Sequence, residues 1–359
     1  MEAAAADLEE EFHTATLRWV EGAMPLTRRT ACIAGATDAV DGVWADLAAL
    51  GMLGLMVPES SGGVDVGPAG MIRVAEAFGQ RLMPEPWAPV AVGSAAILRA
   101  AGDEARLAAL AAGETRPVPA WTEPGRRWSR RPLARLDAAG RLSGAKTVVW
   151  GAAAADTVIV TALDPSGEMV LALAPAESAS RRGYRMWDGC DAAELTFDRS
   201  PVQVLMRGSS AEATLVRALD LMTLALCGEA LGAMARALDL TMEHLRTRVQ
   251  FGRPLAANQA LRHRLAEAWV EAELARALTV RAGREFETLE PVERTRMTAA
   301  AKAQSGVAAR LVAAETVQMH GGIGITDEAE ISHLHRRLVA IDLMFGSVAV
   351  QLAWFRGAA

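Results

Sequence analysis

Arg248-Val-Gln-Phe251-Gly252, then Gln259, then Gln318-Met-His-Gly321-Gly322-Ile-Gly324, are the stretches whose reading decides the fold. Each closes or opens a segment with helical apolar spacing. Ser210 to Arg248 carries a wide apolar face. Gly252-Arg-Pro254 breaks it, because Gly suits a left-handed helix end and Pro cannot continue the hydrogen-bond ladder. Asn258 to Arg284 reads as the next helix, and Pro291 to His320 as another, closed by Gly321-Gly322. Asp327, with Glu330 three residues on, predicts a capping box ahead of a helix over Ile331 to Arg337. A fixed guanidinium at Arg248 supplies charge-assisted, often bidentate bonds. Phe251 offers an apolar wall and Gln259 an amide, while paired glycines admit a ligand or another backbone without a Cβ in the way. Singly, each motif is also an ordinary helix stop, and His320 reads as structural. Their recurrence in this order is what carries weight.

Upstream, residues 1 to about 117 read as helical. Asp41 to Leu55 has helical apolar spacing and runs into the turn-rich Gly54-Leu-Met-Val-Pro58-Glu-Ser-Ser-Gly62-Gly63. Helices are expected through Met71 to Phe78 and through Val90 to Ala101. Between about 118 and 205 the pattern changes to short β-branched runs: Val148-Val149-Trp150, Thr157 to Thr161, Met169 to Leu173 and Ala193 to Phe197. Asp164-Pro-Ser-Gly167 reads as a turn between two of them. The expected architecture is α+β and multidomain: an N-terminal helical domain (1–117), a middle antiparallel β domain (118–205) and a C-terminal four-helix bundle (206–359).

The chain has 359 residues, 51% apolar and 22% charged, with a net charge of −6. That balance argues against a nucleic-acid partner. Of the 37 basic residues only two are lysines, Lys146 and Lys302, which genome composition explains. Cys32, Cys190 and Cys227 are far apart and odd in number, so neither a metal site nor a disulfide framework is expected and a reducing cytoplasm fits. The acidic start Met-Glu-Ala-Ala-Ala-Ala-Asp lacks the features of a signal peptide. Leu215 to Leu231 is apolar but contains Arg217, Asp220 and Glu229, so a buried helix is expected there and not a membrane span. Trp19, Trp44, Trp87 and Trp354 are expected to anchor core or interface.

These motifs resemble the acyl-CoA dehydrogenase family, a group of FAD enzymes, over nearly the whole chain. Gly-x-Leu-Gly-Leu-x-Val-Pro-Glu ending at Glu59, then Gly62-Gly63 and Glu76, is similar to the family's N-terminal domain. The resemblance implies that Arg248 reaches the FAD pyrophosphate of a neighbouring subunit. It implies the same adenosine-side role for Phe251, Gln259, Gln318, Gly321 and Gly322.

The departures from the family pattern are as informative. Its catalytic glutamate sits at one of two loci, which here hold Phe345 and Met222. Neither residue accepts a proton, and general-base catalysis is typically worth about 10²–10⁴-fold. Thr223 replaces an arginine; Asp342 and Asp220 are the nearby carboxylates that could stand in as base, and Asp342, three residues before Phe345, is offset by a full turn. The segment that grips the flavin ring, like Thr-Glu-Pro-Gly-Ala-Gly-Ser-Asp, keeps Thr122-Glu123-Pro124-Gly125 and then turns to Arg126-Arg127-Trp128-Ser129-Arg130. Trp150 replaces a threonine facing the flavin N5. The expectation is therefore a subunit with no catalytic residue of its own. It would lend an FAD clamp to a homologous catalytic chain in an α2β2 acyl-CoA dehydrogenase. The implied substrate is an acyl-CoA, with steroid side-chain thioesters one possibility, and the implied electron acceptor is electron-transfer flavoprotein. Two alternatives stay open: a self-sufficient flavin-dependent oxidase or monooxygenase, and a catalytically silent binding protein.

Overall fold

The computed structural model describes residues 2–34, 38–126 and 128–357. Among the described residues six α-helices come first: α1 (Glu2–Ala23), α2 (Leu26–Ile33), α3 (Asp38–Ala49), α4 (Gly67–Arg81), α5 (Ala95–Ala101) and α6 (Glu104–Ala111). Strands follow: β1 (Pro117–Ala120), β2 (Arg135–Leu136), β3 (Arg141–Trp150), β4 (Thr157–Leu163), β5 (Met169–Pro175), β6 (Ser180–Arg185), β7 (Asp191–Pro201) and β8 (Gln203–Arg207). The long α7 (Gly208–Thr247) leads to a two-stranded hairpin, β9 (Val249–Gln250) and β10 (Arg253–Pro254). Then come α8 (Gln259–Glu285), α9 (Pro291–His320), α10 (Glu330–Leu343) and α11 (Val348–Phe355).

By contacts the chain groups into two compact units. One holds residues 1–30, 68–83 and 223–359; the other holds 31–67 and 84–222. α7 runs from the second into the first.

In the second unit the strands form one sheet in the order β6-β7-β3-β2-β4-β5-β8, with β1 beside β4. The central strands β4 and β5 are buried along most of their length, as their β-branched runs require. An all-antiparallel sheet was expected, but β1 and β2 each pair parallel to β4. A parallel pairing needs a long connection, and residues 121–156 supply it. β6, Ser-Arg-Arg-Gly-Tyr-Arg, is an exposed edge with no apolar alternation to announce it. Trp44 and Trp87 are core anchors as expected: their indole N–H groups donate to Gly113 O (3.1 Å) and Met52 O (2.7 Å).

Both lysines are buried, although arginine supplies every other cation of the chain. In this unit Lys146 Nζ donates to Glu123 Oε1 at 2.6 Å and to Thr161 Oγ1 at 2.8 Å. Glu123 also accepts the backbone N–H groups of Leu133 and Ala134. A compact ammonium fits an interior site that a planar guanidinium would overfill.

In the first unit α4 and α7 approach closely. A Cβ on Gly79 would run into the Glu229 carbonyl, and one on Gly232 into the Glu76 carbonyl. Around this contact the buried charges are paired. Arg337 meets both oxygens of Glu229 (2.6 and 2.7 Å), and Glu76 takes Arg73 and Arg276. Asn258 caps α8 by accepting from Ala260 N (3.1 Å), and Pro291 starts α9 where its missing N–H costs nothing. The capping box at α10 does not form. Its cap position is Ala329, Glu330 is spent on a two-point pair with Arg236 (2.9 and 2.7 Å), and Asp327 takes Arg336.

Among the described residues two helical stretches are long and apolar enough to cross a membrane by length and composition. The apolar window of α7 is 94% buried inside the protein, as the reading of a core helix predicts. The other, Glu330–Phe355, is broken between α10 and α11 and carries His333, Arg336, Arg337 and Asp342.

Candidate functional site

The last turn of α7 places Arg248, whose N–H donates to His244 O at 2.9 Å. Immediately beyond, β9 and β10 pair with Gln250 opposite Arg253, so Phe251 and Gly252 are the two turn residues. Both have positive φ, +52° and +78°, the type I′ geometry of a two-residue hairpin. Glycine enters that region freely, but for phenylalanine it costs about 1–2 kcal/mol. Phe251 is moreover 100% exposed. Its ring earns nothing inside this chain, and the backbone beneath it is strained. Leu255 N closes the base of the hairpin on Arg248 O (2.9 Å), and Gln259 opens α8 just after Asn258. The Gln259 amide is exposed, with Nε2 at 3.4 Å from His263 Nε2.

The second stretch sits at the end of α9. Gln318, Gly321 and Gly322 are all exposed, and residues 321–325 form a tight single turn. A Cβ built on Gly321, Gly322 or Gly252 would meet no protein atom within 4 Å. Gly321 and Gly252 have positive φ, which explains them locally; Gly322 has neither that conformation nor a crowded Cβ. Nothing in the chain itself requires glycine at 322.

The structure brings the two stretches together. The rings of His244 and His320 stack with centroids 4.5 Å apart and planes at 24°. Sequence reasoning passed over His244, because no local pattern marks it; only the packing of α7 against α9 reveals it. Burial draws the His244 imidazole below its ordinary pKa, with its neighbours His320 and Arg248 adding to the shift. Val249, Phe251, Ile323 and Ile325 add an exposed apolar rim.

In the second unit the positions that the family resemblance assigns to the flavin ring are internally occupied. Trp150 ends β3 opposite Ala192 and is buried. Glu123, which had seemed a remnant of a ligand-gripping segment, is spent on Lys146 and two backbone N–H groups. Arg130 is half-buried near Asp220; burial draws its guanidinium below the ordinary value and the Asp220 charge opposes that shift. Met222 is buried with its side chain against Gly93, where a Cβ would collide with it.

In the first unit Phe345 sits at φ +55° in the turn between α10 and α11. Gln351 Nε2 donates to its carbonyl at 2.7 Å, and Lys302 Nζ to the carbonyls of Asp342 (3.1 Å) and Gly346 (3.4 Å). The Asp342 carboxylate is buried, 3.6 Å from Arg310 Nε. Both aspartates considered as substitute bases thus lie in interior, arginine-facing surroundings. Among the described residues no cluster of three or more His, Cys, Asp or Glu side chains has a metal-binding arrangement.

Two family models match the chain: the acyl-CoA dehydrogenase N-terminal domain over residues 8–114 and the C-terminal domain over residues 213–355. The chain belongs to the acyl-CoA dehydrogenase family, whose members bind FAD. Acyl-CoA dehydrogenase IpdE2 of Mycolicibacterium smegmatis is 36% identical over 135 residues, covering 37% of this chain and 40% of that protein. Acyl-CoA dehydrogenase FadE34 of Mycobacterium tuberculosis is 28% identical over 305 residues, covering 84% of this chain and 40% of that protein. The chain thus spans less than half the length of these relatives. Among solved structures, a variant of the Tcur3481-Tcur3483 steroid acyl-CoA dehydrogenase superposes with a TM-score of 0.90 at 26% identity, covering 98% of both chains. The ChsE4-ChsE5 complex from Mycobacterium tuberculosis gives 0.86 at 21% identity over 96% of this chain and 94% of that one, a likeness of fold.

The residues at the α7–α9 corner suit an FAD adenosine and pyrophosphate: open glycines, an exposed guanidinium, two exposed amides and an exposed aromatic ring. Replacing Phe251 by asparagine, which tolerates positive φ and forms the preferred Asn-Gly turn, is expected to raise the stability of the chain by about 0.5–1 kcal/mol. Urea denaturation checks it; a lower midpoint for Phe251→Asn would show that the ring is held by this chain after all.

Proposed function

We propose that this chain is the base-less subunit of a heteromeric FAD-dependent acyl-CoA dehydrogenase. It lends Arg248, Phe251, Gln259, Gln318, Gly321 and Gly322 to the adenosine and pyrophosphate end of an FAD whose flavin ring is held by a homologous catalytic chain. The observation that carries the reading is Phe251, fully exposed on a strained turn, together with Gly322, a glycine that nothing in the chain itself requires. Strain retained at an exposed position is the mark of a contact made elsewhere.

In this reading FAD supplies the hydride acceptor for desaturation of an acyl-CoA thioester. Arg248 neutralises and orients the pyrophosphate, the Gln318 and Gln259 amides hydrogen-bond the adenosine half, and Phe251 walls it from water. Phe345 and Met222, standing where a carboxylate would remove the α-proton, leave that step to the partner. The two-name steroid acyl-CoA dehydrogenase and the ChsE4-ChsE5 complex among the structural likenesses support pairing with an unlike chain. The first of them supports a steroid side-chain thioester as substrate class. Electron-transfer flavoprotein is the expected electron acceptor, and three free, buried cysteines fit a reducing cytoplasm.

The test is a flavin count. An affinity tag on this chain in its native cell should recover a yellow complex with an unlike family member, with one FAD for every two chains. Expressed alone, the chain should be colourless. A yellow, active homo-oligomer would instead establish a self-sufficient flavoenzyme. A recovered assembly without flavin would make the chain a silent binding protein.

A further inference from the structure

We infer that His244 and His320 are a positioning pair that fixes the two FAD-facing segments relative to each other; this rests on the clamp reading above. The two segments come from helices far apart in the chain, and a ligand gripped by both requires their spacing to be held. Arg248 belongs to the end of α7 and to the hairpin, whereas Gln318, Gly321 and Gly322 belong to the end of α9. Both ends are exposed, and a helix terminus at the surface frays unless something ties it.

The tie is the imidazole stack, centroids 4.5 Å apart with planes 24° from parallel. Each ring is anchored next to the residue it would position. The backbone carbonyl of His244 accepts from Arg248 N, so holding His244 in place holds the turn that ends at the arginine. His320 lies between Gln318 and Gly321, and its Nδ1 sits 2.8 Å from Thr316 O. A carbonyl only accepts, so Nδ1 carries the proton and the ring is held in one orientation. Thr316 is itself fixed through Oγ1 to Val312 O at 2.7 Å. The stack is thus seated on the rigid body of α9 at one end and on the last turn of α7 at the other. Neither imidazole is placed to touch the ligand for the argument to hold; each acts through its neighbour.

The experiment compares FAD dissociation rates from the tagged native complex, read by flavin fluorescence on dilution. His244→Ala and His320→Ala are each expected to release FAD about tenfold faster. The double alanine variant should be no worse than either single one, because one interaction is lost only once. His320→Phe, which keeps an aromatic plane, should restore nearly the original rate, an outcome a general loss of stability would not give. Alanine variants with unchanged rates, fully additive singles, or failure of His320→Phe to rescue would overturn the inference. Arg248→Ala separates this from the reading beneath it. If Arg248→Ala retains FAD normally, the clamp itself is wrong; if it loses FAD while the histidine variants do not, only the positioning pair is wrong.

Discussion

Arg248→Glu is expected to empty the cofactor site of the heteromeric complex while leaving the chain folded. Arg248 is exposed at the end of α7 and its side chain supports nothing in the interior. Reversing its charge there disturbs the helix end by only about 0.3–1 kcal/mol, through the unfavourable placement of an anion at a C-terminus. Toward a pyrophosphate the change is far larger. Charge-assisted hydrogen bonds are worth about 1.5–3 kcal/mol each, and a guanidinium reaching a diphosphate makes up to two. Replacing them with repulsion should lower FAD affinity by on the order of a thousandfold. The complex should purify at its normal stoichiometry and colourless, melting where the wild-type complex stripped of FAD melts. A yellow Arg248→Glu complex with full flavin would sink the clamp reading.

Glu123→Gln should be the most damaging single change in the β-sheet unit. It strands the Lys146 ammonium in the interior with only Thr161 Oγ1 and an amide oxygen as neighbours. Breaking a buried ion pair by removing one partner costs about 3–5 kcal/mol. Lys146→Met alone should cost less, since Leu133 N and Ala134 N still donate to the remaining carboxylate. The double variant Glu123→Gln with Lys146→Met should recover much of the loss, because no charge is then left buried. Urea midpoints of the four proteins test this, and a Glu123→Gln midpoint shifted no more than by an ordinary surface substitution refutes it.

The same pair gives a pH signature. Burial draws Lys146 down to about 8 from its ordinary 10.5, with the Glu123 charge opposing the shift. Below pH 8 the folded and unfolded chains both keep the proton, so the cost of burying it is constant. Between about 8 and 10.5 the folded chain releases the proton first, while the unfolded chain still binds it. Stability relative to Lys146→Met therefore rises with pH through that window. A difference between the two proteins that stays flat from pH 7.5 to pH 9.5 would mean that Lys146 titrates as it does in water.

Much of this molecule was readable residue by residue. The helices ending at Arg248 and His320 announced their stops, because glycine and proline act on the backbone where they stand. The four β-branched runs became β3, β4, β5 and β7, since their side chains demand burial on a pleated surface. The edge strand β6 and the short β1 and β2 were invisible, because hydrogen bonds to a neighbour define them and their own composition does not. Glu330 promised a cap and instead met Arg236 on another helix, a distant partner that local rules do not see.

By itself the chain's order of residues settled its family, the helix stops at Gly252 and Gly321, and the absence of a proton acceptor at positions 345 and 222. Those are local facts: covalent sequence and backbone preference are enough to state them. Tertiary packing alone decided that Glu123 serves Lys146, that Trp150 is interior, and that His244 meets His320 where the ends of α7 and α9 converge. The reason is that burial and stacking act between surfaces brought together from far along the chain, and no stretch of sequence contains its own partner.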